Sequence, residues 1–496
     1  MLALLILTDQ FPRNIWRNSA HAFATDAMAR SVADRAIARS FDMAFDSAMR
    51  QFFYLPFQHH EDPDSQARAV ALTERLTADG GAAENLRYAR LHQEIIARFG
   101  RFPHRNAVMG RVSTPEETEN LAKGGFAGKN PSMNILVACD SFKDALDAAG
   151  VCRAIAAGLK RSHPGATITE MPLSDGGEGL LNVLRAPLGL EWVQKDVGDP
   201  LGRTVHGRYG LSAETCVVEM AEASGLQRLT LAERTPLAAS TFGTGQLLAD
   251  ARARGAKRAI LAIGGSATND AGIGAAAALG WKFLDANGAE LPPDGGHLSA
   301  IAKIIPAPSP FDSMEVLCDV TNPLYGPTGA AWIYGRQKGG TDPTLTQLDA
   351  GLRHIAELVK VQLGRDVADT PGAGAAGGLG YGAMVFFGAQ LRRGIEIVLD
   401  LTGFDDAARA ADVIITGEGH LDGQSAQGKL IQGLCGRAQG KPVIALAGKL
   451  SATPEQVKAI GLKAAWSINR EEKPLAQMLA ATAINLESTA ASLILA

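Results

Sequence analysis

The densest group of residues able to do chemistry is Gly264-Gly265-Ser266-Ala267-Thr268-Asn269-Asp270-Ala271-Gly272. Two adjacent glycines let a ligand approach the backbone closely. Ser266, Thr268 and Asn269 can donate hydrogen bonds, and Asp270 can bind a cation or accept a proton. An apolar run over 259–263 leads in and reads as a buried strand. The Ala-rich run over 273–279, closed by Gly280, reads as a short helix. The stretch is therefore a strand–turn–helix junction, and the amides at the helix start favour an anion.

Similar turns follow other expected strands. Asp140-Ser141-Phe142-Lys143 stands after an apolar strand over 134–139, and a helix is expected over 147–161. Asp175-Gly176-Gly177-Glu178-Gly179 follows a second strand over 166–171. Strand, helix and strand in this order imply a parallel sheet, whose ligands gather at the carboxyl ends of the strands. Near the C-terminus a strand over 412–416 is followed by Gly417-Glu418-Gly419-His420-Leu421-Asp422, a helix from about 428 and a strand over 442–446. The first and last parts are expected to share one sheet. The middle of the chain, with strands near 205–209 and 216–220 and a helix over 245–254, is inserted between them.

Two familiar patterns fail on context. Gly372-Ala373-Gly374-Ala375-Ala376-Gly377 has the dinucleotide-binding spacing, but Pro371 precedes it where a central strand is required. It is expected to be a glycine-rich loop lining a pocket. Gly423 to Lys429 matches most of a phosphate-binding P-loop, yet Leu430 stands where a Mg²⁺-binding hydroxyl belongs. Lys429, beside a helix start, could still hold a phosphate.

The chain of 496 residues is expected to form more than one domain. A formal net charge of −4 argues against nucleic acid as the main partner. The cysteines are scattered, with no Cys-x-x-Cys pair, which speaks against a zinc site or a disulfide framework and fits a reducing cytoplasm. No run of about 20 apolar residues would span a membrane. The apolar start, Met1 to Leu7, lacks the basic residues and cleavage site of a signal peptide.

Residues 1–132 hold 16 Lys/Arg, mostly arginine, against 15 Asp/Glu, whereas the remainder is far richer in glycine, so two modules are expected. The first reads as all helix. Met28, Val32 and Ala36 recur at four-residue steps, and Tyr88, Leu91, Ile95 and Phe99 make a second face ended by Gly100. Thr114-Pro115-Glu116-Glu117 is a helix start with a capping box. His59-His60-Glu61-Asp62 is read as a solvated loop rather than a metal site, because adjacent residues rarely face one ion. Three phrases, Asp9-Gln-Phe-Pro-Arg-Asn14, Phe52 to Asp62 and Arg98 to Asn106, resemble a bacterial all-α family of uncharacterised function. That resemblance implies helices packed like tetratricopeptide repeats. Its members carry helices before the first phrase, so the module reads as truncated.

Seven blocks of the second module, taken in order, resemble bacterial glycerate kinases over 133–496. They are Asp140 to Lys143, Asp175 to Gly179, Gly264 to Asp270, Cys318-Asp319-Val-Thr-Asn322, Gln337-Lys338-Gly339, Pro371 to Gly378 and Thr416 to Ser425. The resemblance implies an α/β two-domain kinase, with a flavodoxin-like parallel-sheet domain and an inserted α/β domain, preceded here by the all-α domain. The expected boundaries are 1–125 for the helical domain, 126–132 for a linker, 133–200 with 396–496 for the sheet domain and 201–395 for the insert. ATP and Mg²⁺ are the implied cofactors, and D-glycerate, phosphorylated on its 2-hydroxyl, is the implied substrate. Transfer to the 3-hydroxyl, a related hydroxy acid, or a helical partner-binding platform carrying the kinase are the alternatives. A homo-oligomer is compatible with this reading.

Phosphoryl transfer needs a base, cations and phosphate-binding turns. Asp175 or Asp319 is expected as base, with Lys143 and Lys338 as catalytic cations. Asp270 and Glu418 are expected at the metal. Ser141, Gly264, Gly265, Ser266, Thr268, Asn269, Gly374, Gly377 and Lys429 are expected around the nucleotide.

Overall fold

The computed structural model describes residues 1–16, 19–122, 133–177, 179–422, 429–469, 471, 473–493 and 495. The chain forms two compact units, Met1–Pro131 and Ser132–Ala496. The linker expected over 126–132 lies outside the described residues.

The first unit is helical throughout its described residues, with long helices Asp26–Ala38, Pro63–Ala78 and Ala83–Phe99. Its main core gathers Leu5, Val32, Ala36, Phe53, Phe57, Ala69 and Leu76. Met28, on the expected apolar face, is exposed. Gly100 ends the third helix with φ 70°. The capping box forms as expected: Glu117 N–H donates to Thr114 Oγ1 at 3.2 Å and Thr114 N–H to Glu117 Oε2 at 2.7 Å. The 59–62 phrase is not a solvated loop. His59 packs on Asp9, Glu61 pairs with Arg111, and Asp62 accepts the Ser65 amide at the start of the Pro63–Ala78 helix.

The second unit is built on two main sheets. The strands are β1 (Asn134–Cys139), β2 (Thr167–Pro172), β3 (Glu191–Gly198), β4 (Thr204–Leu211), β5 (Thr215–Glu219), β6 (Arg258–Ala262), β7 (Lys282–Leu284), β8 (Lys303–Ile305), β9 (Ser313–Leu317), β10 (Gln390–Arg392), β11 (Val413–Leu421), β12 (Val443–Leu450) and β13 (Ala464–Ser467). One sheet has the order β13-β12-β11-β1-β2, all parallel. Counted within that sheet alone this is the flavodoxin-like order 2-1-3-4-5, and its switch point lies between β1 and β11. The other sheet runs β10-β9-β6-β5-β4-β3, parallel from β10 to β5 and antiparallel over β4 and β3. Strand β3 lies N-terminal to the expected insert start at 201, yet it pairs along its whole length with β4.

The chain crosses between the sheets twice. The first crossing carries helix Leu180–Leu188, and the second carries helix Gly394–Thr402. Both helices bury their apolar faces in one core with residues of each sheet, including Leu136 and Ile414 of the first and Val217, Ile260 and Leu317 of the second.

Candidate active site

Parallel strands deliver their following turns to one edge, and both sheets do this here. Asp140 follows β1, and its carboxylate accepts the Ser141 amide at 2.6 Å. Burial, then the negative charge of Asp175, raise its pKa to about 6. Asp175 follows β2 and accepts the Gly177 amide on Oδ1 at 2.9 Å. Its Oδ2 has no hydrogen-bond partner among the described residues. Asp319 follows β9 in the other sheet and accepts the Gly394 amide on Oδ1 at 3.0 Å. Gly394 opens the second crossing helix. A Cβ there would lie 1.9 Å from the Asp175 carbonyl oxygen and 3.1 Å from Asp319 Oδ2, so only glycine lets the two acidic turns close on this point.

The Gly264 turn joins the same edge, since a Cβ on Gly264 would stand 3.9 Å from Gly177 Cα. Gly265 has φ 72°. Further along, Lys338 is buried, and its ammonium donates to Ser266 Oγ at 2.8 Å and to the Thr268 carbonyl at 2.7 Å. That burial lowers its pKa to about 7. Lys338 thus clamps the turn, with 1% of its surface exposed. Thr268 Oγ1 and both amide atoms of Asn269 are enclosed without a hydrogen-bond partner. Unsatisfied groups of this kind cost about 1–3 kcal/mol each.

Asp270 departs from its expected place at a metal. It is fully buried, and Oδ2 accepts the Thr241 amide at 2.7 Å and the Thr241 hydroxyl at 2.8 Å. It also takes the Gly272 and Gly274 amides at 3.1 and 3.3 Å. The amides at the start of helix Ile273–Ala278 are thereby occupied, so they do not receive an external anion as expected.

A model of the Glycerate kinase family matches residues 135–496. The chain belongs to the glycerate kinase family.

Family relatives align over nearly their whole length. A "Glycerate kinase" of Halalkalibacterium halodurans is 44% identical over 67% of this chain and 90% of its own. A "Glycerate 2-kinase" of Escherichia coli is 41% identical over 68% of this chain and 90% of its own. The crystal structure of a Salmonella typhimurium LT2 protein assigned as glycerate kinase 2 superimposes with TM-score 0.66 at 39% identity. It covers 73% of this chain and 97% of that one. A second family model, "Bacterial protein of unknown function (DUF924)", matches residues 1–125.

The remaining expected residues fall as follows. Glu418 lies within β11, half-buried, and the register Val137 with Ile415 carries it level with Asp140 across the switch point. Ser141 is half-buried and Lys143 exposed at the same end of β1. Gly374 and Gly377 belong to a loop packed against the Gly264 turn: a Cβ on Gly377 would lie 2.0 Å from the Thr268 carbonyl, and one on Gly374 2.2 Å from that of Pro323. Gly377 thus packs on the Gly264 turn and Gly374 on the Pro323 segment. The P-loop-like run 423–428 and the Lys429 side chain lie outside the described residues, as does Glu178. Among the described residues no three His, Cys, Asp or Glu side chains form a metal-holding group. The acid overlooked in the sequence is Asp140. Its position at the end of the first strand was visible, but its approach to Asp175 depends on how β2 pairs with β1.

Proposed function

We propose that the 132–496 unit is an ATP-dependent kinase that phosphorylates D-glycerate on its 2-hydroxyl, giving 2-phosphoglycerate. The observation that carries this reading is the meeting of Asp175 and Asp319, from strands of the two sheets, at Gly394, with Asp140 beside Asp175. Three carboxylates at one edge suit an in-line transfer, whose acceptor hydroxyl must lose a proton.

Asp175 is the base in this reading, because Oδ2 is unengaged while Oδ1 is fixed on Gly177. Asp319 holds the Gly394 amide and so positions the Asp175 carbonyl that packs on the same glycine. Asp140, half-buried beside Asp175, itself changes charge near pH 6. Lys143, exposed at the end of β1, offers a cation to the transferred phosphoryl. The unpaired atoms of Thr268 and Asn269 offer hydrogen-bonding groups for the nucleotide, and their lack of protein partners fits such an occupant.

Mg²⁺ prefers one or two carboxylates together with substrate phosphates, and when bound it offsets the charge of the phosphoryl group. Glu418, level with Asp140 across the switch point, would hold it in this reading, since carboxylate oxygens suit a hard cation.

The test is incubation of the purified chain with ATP, Mg²⁺ and D-glycerate, followed by ³¹P NMR of the product. The 2-phospho ester is expected. A 3-phospho ester would move the acceptor site, and no phosphoglycerate at all would overturn the proposal.

A further inference from the structure

The helical unit contains a buried cation that no acid among the described residues contacts directly, although Glu61 and Asp26 lie near enough to act on its charge. Arg105 is 8% exposed, and its Nε is enclosed without a hydrogen-bond acceptor. Its guanidinium makes no side-chain hydrogen bond or ion pair among the described residues. Instead it lies over two aromatic rings, 4.6 Å from the centroid of Phe23 and 4.5 Å from that of Phe102. Aromatic faces on a guanidinium leave its edge, where the N–H donors are, as the direction for recognition.

The acids nearby are already committed. Asp26 accepts Arg13 at 2.8 Å, and Glu61 accepts Arg111 at 2.6 Å and the Phe102 amide at 2.8 Å. Asp9, 2% exposed, accepts His59 Nδ1 at 2.9 Å and lies 3.4 Å from Arg13. The three acids, Asp9, Asp26 and Glu61, match the three arginines, Arg13, Arg105 and Arg111, in number, yet none of them bonds Arg105, whose donors are left without a direct acceptor. A buried unpaired charge is costly, and an anionic ligand would offset that cost.

The same place holds a proton-handling group. An ionised carboxylate only accepts, so the His59 proton sits on Nδ1 toward Asp9, and Nε2 is left as the acceptor. Three phrases distant in sequence are brought together here: Asp9 with Arg13, His59 with Glu61, and Phe102 with Arg105.

We propose that the helical unit is a binding site for a small carboxylate- or phosphate-bearing molecule, gripped by Arg105 beside the Asp9–His59 pair. The site takes the ligand's anionic group on the guanidinium edge and sets the imidazole against the rest of the molecule.

Hydrogen–deuterium exchange of the full chain, read peptide by peptide by mass spectrometry, tests this with inorganic phosphate and with malonate as separate probes. Saturable protection confined to peptides covering Asp9–Arg13, His59–Glu61 and Phe102–Asn106 is expected from one of them. Protection by phosphate alone assigns phosphate esters, and protection by malonate alone assigns organic acids. In Arg105→Met the protection should be lost, while the unit melts no lower than the parent, because a buried guanidinium without a direct hydrogen-bond partner has been removed. Should that variant not fold, Arg105→Lys decides, since it keeps the charge without the fork. Affinity at least about tenfold weaker with unchanged melting supports the proposal. No protection by either probe, or equal protection in the Arg105 variants, overturns it.

Discussion

Asp140 sits in an environment that a turn aspartate does not normally meet, buried enough and close enough to Asp175 to hold its proton. Its folded pKa of about 6 lies above the ordinary 3.8, so the folded state holds the proton more tightly than the unfolded chain. The sign follows: stability is greatest below about pH 4 and declines as pH rises through 6. Asp140→Asn should therefore raise the melting temperature at pH 8, by up to about 3 kcal/mol of stability, with the gain fading toward pH 4. Thermal melts across that range check it. Asp175→Asn should lower kcat by about 10²–10⁴-fold with KM little changed, as expected for a lost base. Asp319→Asn should cost less, because the amide oxygen can still accept the Gly394 N–H, and parallel kinetics of the two variants distinguish base from positioning residue. The types of these residues were legible in the sequence, but their directions were not. Asp270 and Lys338 share the richest cluster, yet both point into the protein, one spent on backbone amides and the other on Ser266 and Thr268. Only the packing of the Gly372–Gly378 loop against that turn decides this, and no local pattern encodes it.

At the scale of the elements, strands with apolar runs were legible almost to the residue, because burial on both faces gives continuous hydrophobic stretches. Strands β3 and β7 to β10 were not expected, β12 runs to Leu450 where an end at 446 was expected, and β11 departs furthest. It was expected to end at Thr416, but it continues through Gly417-Glu418-Gly419 to Leu421. Glycine has poor strand propensity, yet Glu418 pairs with Ala447 and His420 with Lys449 in β12, and that pairing outweighs it. Gly417 is required there, since a Cβ would sit 2.7 Å from the Leu446 carbonyl. Gly394 carries the sharper prediction. Alanine normally favours a helix over glycine, but at this position its methyl would collide with the Asp175 carbonyl. Gly394→Ala should destabilise by about 1–3 kcal/mol or more and cut turnover, because it pushes apart two acidic turns. Denaturant melts together with steady-state kinetics would show both losses, and normal activity would mean that the turns need not meet.

For the whole molecule, the composition break near residue 130 matches the division into two compact units. Residues 133–496 expressed alone should keep full kinase turnover, since every acid proposed for the chemistry lies within them. A loss of kcat on removing 1–132 would show that the helical unit contributes to catalysis. The shared core between the two sheets was not legible, because it depends on which crossing helices lie between them. Leu184→Ala, in the first of these helices, should cost about 2–5 kcal/mol, measured by urea unfolding.

That double crossing bears on how the enzyme survives damage. A protease nick in either connection would sever the polypeptide without separating the sheets, because Leu180, Leu184, Ile397 and Val398 would still be buried with partners from both. The cut pieces should co-elute and retain a complete acidic edge, so a gel showing fragmentation would say little about whether the preparation still works.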